Sequence, residues 1–246
     1  MAVANQKGGV AKTTTVLTLA SALAGRGWRV LMVDLDAQAC LTYSAGVEPE
    51  DLERSLYDVL VKKASADDVL LKTGDLHLLP ATIDLAGAEV HLLTRPGREY
   101  ALARALDPIL PRYDVVLIDC PPSLGILTVN GLTAAQEVLV PLQCETLSQR
   151  GVRQLLETID DVRSFTNPQL RVRGVIATMF DGRTKLGRSV LDDVRTRFGI
   201  PVLDPPVPKS VRVAEAPGKG CSVLEHAPNS PAADAYRRLA EVLEPA

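Results

Sequence analysis

The segment Lys7-Gly8-Gly9-Val10-Ala11-Lys12-Thr13-Thr14 follows a short apolar stretch, Ala2-Val3-Ala4, and precedes an apolar pattern of helical period. A tight turn of small residues between a strand and a helix lets successive backbone N–H groups surround a phosphate, and the helix N-terminus adds its positive dipole end. The Lys12 ammonium would then reach the β- and γ-phosphates, and the Thr13 hydroxyl would bind Mg²⁺. The segment therefore predicts a site for a nucleoside triphosphate.

Two further apolar segments end in carboxylates. Residues 30–33 precede Asp34 and Asp36, and residues 115–118 precede Asp119. Alternate residues of an extended segment point to the same side, and ligands of α/β proteins bind at the carboxyl ends of the strands. Asp34 and Asp36 are therefore both expected to face Mg²⁺ and the attacking water. Asp119 closes a Walker B-like strand and would hold a Mg²⁺-bound water.

Along the whole chain, apolar runs alternate with helical patterns, which predicts an α/β fold: a mostly parallel, twisted β-sheet with helices on both faces. The predicted strands are 2–5, 29–34, 76–80, 115–119, 137–142, 173–178 and 201–203. The predicted helices are 12–26, 52–62, 84–93, 98–110, 125–135, 148–164, 186–198 and 232–243. With no repeat or linker, residues 1–246 are expected to form a single domain.

The composition excludes several classes of protein. Of 246 residues, 46% are hydrophobic but only 4% are aromatic, so the core must be aliphatic, as in buried parallel sheets. No apolar run is long enough for a membrane span and no signal peptide precedes the loop, so a cytoplasmic location is expected. The four cysteines (Cys40, Cys120, Cys144 and Cys221) are single and far apart, which favours buried structural thiols over zinc or disulfides.

The loop and the acidic segments resemble the deviant Walker A ATPases, the family of ParA, Soj, MinD and the nitrogenase iron protein. Its mark is a second lysine before the glycines, here Lys7. Residues 34–38 are similar to the family's Asp-x-Asp-Pro-Gln motif, in which the second acid, here Asp36, orients or activates the water. Residues 121–125 resemble its switch region, and residues 141–145 a stretch with either a plain strand end or a role in a dimer interface. Residues 178–184 and 206–217 resemble loops that border the adenine, with Met179, Pro208 and Ser210.

This chain departs from the family pattern at several points. Ala11, Ala37 and Ala39 replace Gly, Pro and Gly, Cys40 replaces Asn, and Lys209-Ser210 replaces Arg-Asn. At Ala11 a methyl group costs little if the backbone is helical, but it strains the loop if φ is positive.

The resemblance implies an ATPase that uses ATP and Mg²⁺, with Lys7, Lys12 and Asp36 in the reaction. It implies a homodimer that sandwiches two nucleotides, with Lys7 reaching the partner's phosphates, which would make hydrolysis depend on dimerisation. It also implies partition of a chromosome or plasmid with a ParB/Spo0J-type partner on the nucleoid.

The charge distribution is compatible with that function. The net charge is −3, but residues 171–220 carry ten basic and five acidic side chains. Non-specific contacts to DNA phosphates would come from Arg183 and Arg212, by match to relatives, and from the neighbouring basic residues Lys185, Arg188, Lys209 and Lys219. A solvated surface is the alternative explanation of these charges.

Other functions remain open at this point. A MinD-like regulator would need a C-terminal amphipathic helix with a basic face, but residues 234–246 carry two basic and three acidic residues. We therefore expect that helix to pack on the domain and no membrane partner. A positioning ATPase for a protein cargo, an iron-protein-like ATPase and a non-catalytic nucleotide-binding module are further alternatives. No N-terminal helix-turn-helix domain is expected.

Overall fold

A computed structural model describes residues 1–145 and 148–244, without the side chains of Ser148 and Gln149. In the described part, the strands form one sheet. They are β1 (Ala2–Val3), β2 (Val30–Asp34), β3 (Leu71–Thr73), β4 (Leu76–Leu79), β5 (Val115–Asp119), β6 (Glu137–Gln143), β7 (Arg171–Thr178) and β8 (Val202–Leu203).

Helices connect these strands. They are α1 (Lys12–Ala24), α2 (Cys40–Ser44), α3 (Leu56–Leu60), α4 (Ala66–Val69), α5 (Leu85–Leu93), α6 (Ala101–Leu106), α7 (Ile126–Ala134), α8 (Ser148–Phe165), α9 (Lys185–Arg197), α10 (Val211–Glu215), α11 (Val223–His226) and α12 (Pro231–Val242). Short 3₁₀ segments lie at Pro49–Asp51, Arg98–Tyr100, Leu110–Arg112 and Pro217–Lys219.

The strand order is β3-β4-β2-β5-β1-β6-β7-β8, and all neighbours are parallel except β3 and β4. The predicted α/β class is therefore confirmed. Strand β1 lies at the centre, between β5 and β6, so the loop that leaves it opens at the carboxyl edge of the sheet. Ligands of open α/β sheets bind at this edge.

Apolar side chains form a core on each face of the sheet. One face is covered by α1, α11 and α12, and the other by α3 to α9. Tyr236 of α12 is fully buried, and its hydroxyl lies 3.1 Å from the Thr15 hydroxyl of α1. The expectation that the C-terminal helix packs on the domain is thus confirmed. Within the described residues, no helix combines the length and apolar character that a bilayer crossing requires.

Several predicted elements differ from the observed ones. The predicted helix 52–62 is only α3, and the predicted helix 98–110 is divided into two 3₁₀ turns around α6. Pro108 and Pro111 explain the second case, because proline cannot continue a helix. Strand β3 was not predicted, since three residues, two half-buried and one exposed, are too few to establish an alternation. Helices α2 and α10 were also missed because five-residue helices show no period.

Candidate active site

The loop after β1 closes with a left-handed residue at the start of α1. Ala11 has φ 66° and ψ 37°, and it gives no side-chain hydrogen bond to the first turn. A non-glycine residue in this conformation costs roughly 1–2 kcal/mol, so the second alternative at Ala11, a strained loop, is the observed one. The N-terminal N–H groups of a helix have no intrahelical partners and attract anions. The geometry thus fits a phosphate site.

Lys12 is held beneath this loop. It is only 8% exposed, and its Nζ donates to the Lys7 carbonyl oxygen at 3.3 Å. Burial lowers the pKa of Lys12, while the negative charges of Asp119 and Asp36 oppose that shift. A buried ammonium that makes one long hydrogen bond has donor capacity left for a bound anion.

Thr13 and Asp119 form the centre of the predicted Mg²⁺ site. The Thr13 hydroxyl donates to Asp119 Oδ2 at 2.6 Å, whereas Asp119 Oδ1 is buried and has no hydrogen-bond partner among the described residues. Burial raises the pKa of Asp119 well above its usual range, and the nearby Asp34 carboxylate adds to this shift. A cation with its water shell would satisfy the unpaired oxygen and stabilise the ionised form.

No group of three or more His, Cys, Asp or Glu side chains in the described part of the chain could hold a metal. Mg²⁺ needs no such cluster, because it keeps several waters and uses few protein ligands. The Thr13 hydroxyl and the carboxylates of Asp119 and Asp36 supply oxygen donors, which are the ligands that Mg²⁺ takes.

Asp34 and Asp36 differ in role. Asp36 lines the cavity described below, but Asp34 is fully buried and accepts hydrogen bonds from the Thr42 amide and hydroxyl at 2.8 and 2.7 Å. Burial raises the pKa of Asp34 to about 6, against those hydrogen bonds. The prediction that both carboxylates face the metal is therefore wrong for Asp34, which anchors α2.

A cavity of about 940 Å³ opens beside the loop. The part of its wall that we call the phosphate end is formed by Gly8, Gly9, Ala11, Lys12, Thr13, Thr14 and Asp36. The rest of the wall, which includes Met179, Pro208 and Ser210, is called the far end. The structure thus brings most of the predicted nucleotide-binding residues together. The cavity wall does not include Val10, whose side chain is buried in the core, or Lys7. Its volume is in the range of cofactor sites.

The far end of the cavity contains residues that sequence reasoning missed. Tyr43 of α2 and Val211 of α10 line it, and they are 45% and 73% exposed. Tyr43 follows Thr42, whose hydroxyl donates to Asp34 and accepts from the Ala81 amide at 2.9 Å. The buried anchor thus fixes an exposed aromatic ring on the wall. Five-residue helices give no sequence signal that could have identified these side chains.

Lys7 is held on the outer side of the loop. Its backbone N–H donates to Asn5 Oδ1 at 3.0 Å, and its ammonium forms an ion pair with Glu145. Asn5 is in turn bound to the Pro141 carbonyl oxygen at 2.7 Å, so the end of β6 fixes the position of Lys7. Lys7 therefore does not line the nucleotide cavity of this chain.

The six predicted DNA-binding residues are all exposed and lie on segments that follow β7 and β8: Arg183, Lys185, Arg188, Lys209, Arg212 and Lys219. Arg183 is 91% exposed in its side chain and pairs with Asp181, which lowers the pKa of Asp181 to about 2. Arg212 pairs with Glu215 at 3.0 Å. Lys209 also lines the nucleotide cavity, so its place is not limited to the outer surface.

The cysteines are unpaired thiols in the structure. Cys120 is buried, and burial raises its pKa to about 12. The expectation of buried structural thiols is wrong for Cys40, which is exposed and lines the cavity.

The site is that of a P-loop nucleotide-binding protein. It combines a central strand, a glycine-containing loop, a helix that begins with Lys-Thr and a Walker B acid bonded to that threonine.

Comparisons with known proteins identify the family within this class. A family model described as an AAA domain matches residues 1–172. The chain is 44% identical to the sporulation initiation inhibitor protein Soj of Bacillus subtilis, over 98% of this chain and 96% of that protein. It is 45% identical to the chromosome partitioning protein ParA of Caulobacter vibrioides, over 98% of this chain and 91% of that protein. It is 47% identical to the chromosome-partitioning ATPase Soj of Thermus thermophilus, over 98% of this chain and 93% of that protein.

The chain therefore belongs to the ParA/Soj family of deviant Walker A ATPases, whose cofactors are ATP and Mg²⁺. A solved structure titled cobyrinic acid a,c-diamide synthase from Mycobacterium smegmatis, with bound ADP and magnesium, has a TM-score of 0.88 and 52% identity, over 98% of this chain and 92% of that one. The solved structure of the septum site-determining protein MinD of Pyrococcus horikoshii, with Mg-ADP, has a TM-score of 0.80 at 24% identity, over 99% of this chain and 94% of that one. That last likeness shows the fold alone.

Proposed function

We propose that this protein is a switch ATPase that dimerises on ATP, binds DNA without sequence preference and drives partition of a chromosome or plasmid. The observation that carries the proposal is the convergence of Lys12, Thr13 and Asp36 on the wall of one cavity, with Asp119 bonded to Thr13 behind that wall. Two relatives named as chromosome partitioning proteins, which match this chain over more than nine-tenths of their length, support it.

Each of these residues has a distinct task in the proposed reaction. The N–H groups at the start of α1 and the Lys12 ammonium would bind and orient the phosphates. The Thr13 hydroxyl would ligate Mg²⁺ directly, and Asp119 and Asp36 through water; bound Mg²⁺ supplies charge neutralisation at the β- and γ-phosphates. Asp36, on the cavity wall, would orient the attacking water. Met179, Pro208 and Ser210 would border the base.

Lys7 would act on the nucleotide of a second protomer. Lys7 does not line its own nucleotide cavity, and its ammonium is paired with Glu145, which supports a contact outside its own phosphate site. The Lys7–Glu145 pair is partly exposed, and such pairs contribute about 0–1 kcal/mol, so a partner's triphosphate can compete for Lys7. Hydrolysis would then depend on dimerisation, as it does with an arginine finger.

DNA binding would use the exposed cations after β7 and β8. With contacts to phosphates, log K falls with log salt with a slope of about −0.9 per phosphate contact and depends little on sequence. The intramolecular pairs of Arg183 and Arg212 are exposed and weak, so they do not prevent such contacts.

Fluorescence anisotropy with two unrelated duplexes, with ATP and a salt titration, tests this function. We expect the double variant Arg183→Ala/Arg212→Ala to lose at least tenfold in affinity and about two units of salt slope on both duplexes. Arg171→Ala, an exposed arginine at the amino end of β7, is the matched control and should bind normally. Salt-independent binding, or unchanged binding by the double variant, would rule out this surface.

A ParB/Spo0J-type protein is the proposed activating partner, and the nucleoid in the cytoplasm is the proposed location. Both follow from the family. Slow ATP turnover that rises when a ParB-type protein and DNA are added together would support the pairing, and turnover that ignores both would contradict it.

One observation favours a second candidate: the 52% identical solved structure is titled a diamide synthase. Such an enzyme would consume ATP only with a carboxylate acceptor and a nitrogen donor. ADP release that requires cobyrinic acid and glutamine or ammonia, and ignores DNA, would establish this candidate over the partition ATPase.

A further inference from the structure

A second cavity, of about 360 Å³, lies between α3, α5 and α6, on the face of the sheet opposite α1. Its walls include the apolar side chains of Val59, Leu60, Leu92, Ala101 and Ala105. It shares no lining residue with the nucleotide cavity. A volume above about 300 Å³ with apolar walls is that of a small-molecule site.

Basic side chains line the same cavity: Lys62, Arg95, Arg98 and Arg104. Arg98 has a carboxylate partner, Glu99, at 3.0 Å. Within residues 1–145 and 148–244, neither Lys62 nor Arg104 forms an ion pair with a carboxylate. The Arg104 guanidinium instead lies 5.8 Å from the centre of the Tyr100 ring.

Arg95 is bound to the backbone. It donates to the carbonyl oxygens of Leu60 and Val61, at 3.4 and 3.1 Å, and thus closes the C-terminal end of α3. Those contacts explain the position of Arg95 without a ligand. The cations left without a carboxylate or a backbone acceptor are therefore Lys62 and Arg104.

The backbone at Lys62 supports a role for its side chain. Lys62 has φ 64°, and its N–H donates to the Val59 carbonyl oxygen at 3.1 Å just after α3. Glycine is the usual residue at this left-handed position, and any other residue costs about 1 kcal/mol or more. The fold thus keeps a lysine at a position that favours glycine, on the wall of an apolar cavity.

We propose that this cavity binds a small anionic amphiphile, a molecule with one carboxylate, phosphate or sulfonate group on a compact apolar body. The apolar part would cover Leu92 and the alanine methyl groups, and the anion would pair with Lys62 and Arg104. Lys62 and Arg104 are exposed, so each would add a modest attraction to the burial of the apolar body. This site goes beyond the proposed ATPase function and does not depend on it.

The cavity is also connected to the loop that follows β5. Asn130 of α7 is fully buried, accepts from the Leu102 amide at 3.0 Å and donates to the carbonyl oxygens of Arg98 and Ile126 at 2.9 Å. Helix α7 begins directly after residues 121–125, the predicted switch. The cavity wall and this helix are therefore joined by one buried side chain.

The test uses the full chain labelled with ¹³C at alanine methyl groups and 1-anilinonaphthalene-8-sulfonate as the probe. We expect saturable shifts of Ala64, Ala66, Ala101 and Ala105, which line the cavity, but not of Ala232 and Ala240 on the other face. Lys62→Glu/Arg104→Glu should weaken binding at least tenfold, because two attractive charges become repulsive. Arg171→Glu, an exposed charge reversal far from the cavity, should leave the affinity for the probe unchanged.

Three results would overturn the proposal: no shifts at millimolar probe, shifts confined to alanines elsewhere, such as Ala11 and Ala214 of the nucleotide cavity, or equal affinity in the double variant and the control. Because the shifts are assigned to individual alanines, a protein that fails to bind ATP would still give a clear answer here.

Discussion

The two ends of the nucleotide cavity are built in different ways. At the phosphate end, Lys12 and Asp119 are buried ionisable groups, and they are hydrogen-bonded to the loop and to Thr13. At the far end, Tyr43 and Val211 are exposed apolar side chains on five-residue helices. The strand-loop-helix framework of the fold therefore positions the groups that would bind the phosphates, whereas the base would contact exposed side chains on short helices. Changes at the phosphate end should therefore have the larger effects on binding.

Lys12→Ala should have the largest effect. Two charge-assisted hydrogen bonds to phosphate are worth about 3 kcal/mol or more, so ATP–Mg²⁺ affinity by calorimetry should fall at least about 100-fold. Lys72→Ala, at an exposed position of β3, is the control and should bind as the unmodified chain does. Near-normal affinity of Lys12→Ala would remove the contrast between the two ends.

Thr42→Val tests the buried anchor of the far end. It leaves the Asp34 carboxylate and the Ala81 amide without the hydroxyl that now binds both, so urea unfolding should show a loss of about 2–4 kcal/mol. Thr73→Val is the matched control, because the Thr73 hydroxyl is buried without a hydrogen-bond partner in the described structure, and it should cost little. Equal losses in both variants would show that the hydrogen bonds at Thr42 do not matter.

Tyr43→Ser should lower the binding affinity for a fluorescent ATP analogue about tenfold, since stacking of a base on an aromatic ring is worth about 1–3 kcal/mol. Tyr43→Phe keeps the ring and should bind normally. If Phe and Ser behave alike, the base does not rest on this side chain, and the far end of the cavity serves another purpose.

The smallest effect is expected from relief of backbone strain, which is present at both ends. Ala11 and Ala39 have φ values of 66° and 52°, so Ala11→Gly and Ala39→Gly should each raise the free energy of unfolding by about 0.5–1 kcal/mol. Ala20→Gly, in the middle of α1, should instead lower it. A loss of stability at Ala11 or Ala39 would show that these methyl groups make contacts worth more than the strain.

The same contrast explains what the sequence could predict. Asp36 and Asp119 stand at or near strand ends, and Lys12 and Thr13 follow the loop that leaves β1. The aliphatic runs predict these three strands within one or two residues. Tyr43 and Val211 reach the cavity through tertiary packing, for which a five-residue helix gives no local pattern. Asp34 was misassigned because alternation describes where a carboxylate points in an extended strand, whereas Thr42 returns from α2 to bind it.

We propose that Lys7 serves a second protomer, so that nucleotide state would govern pairing. Sedimentation-equilibrium molar mass with a non-hydrolysable ATP analogue and Mg²⁺ tests it directly on the unmodified chain and Lys7→Ala. We expect twice the monomer mass for the unmodified chain and the monomer mass for the variant, with both still binding the analogue. An unmodified chain that stays monomeric, or a variant that pairs equally well, would contradict it.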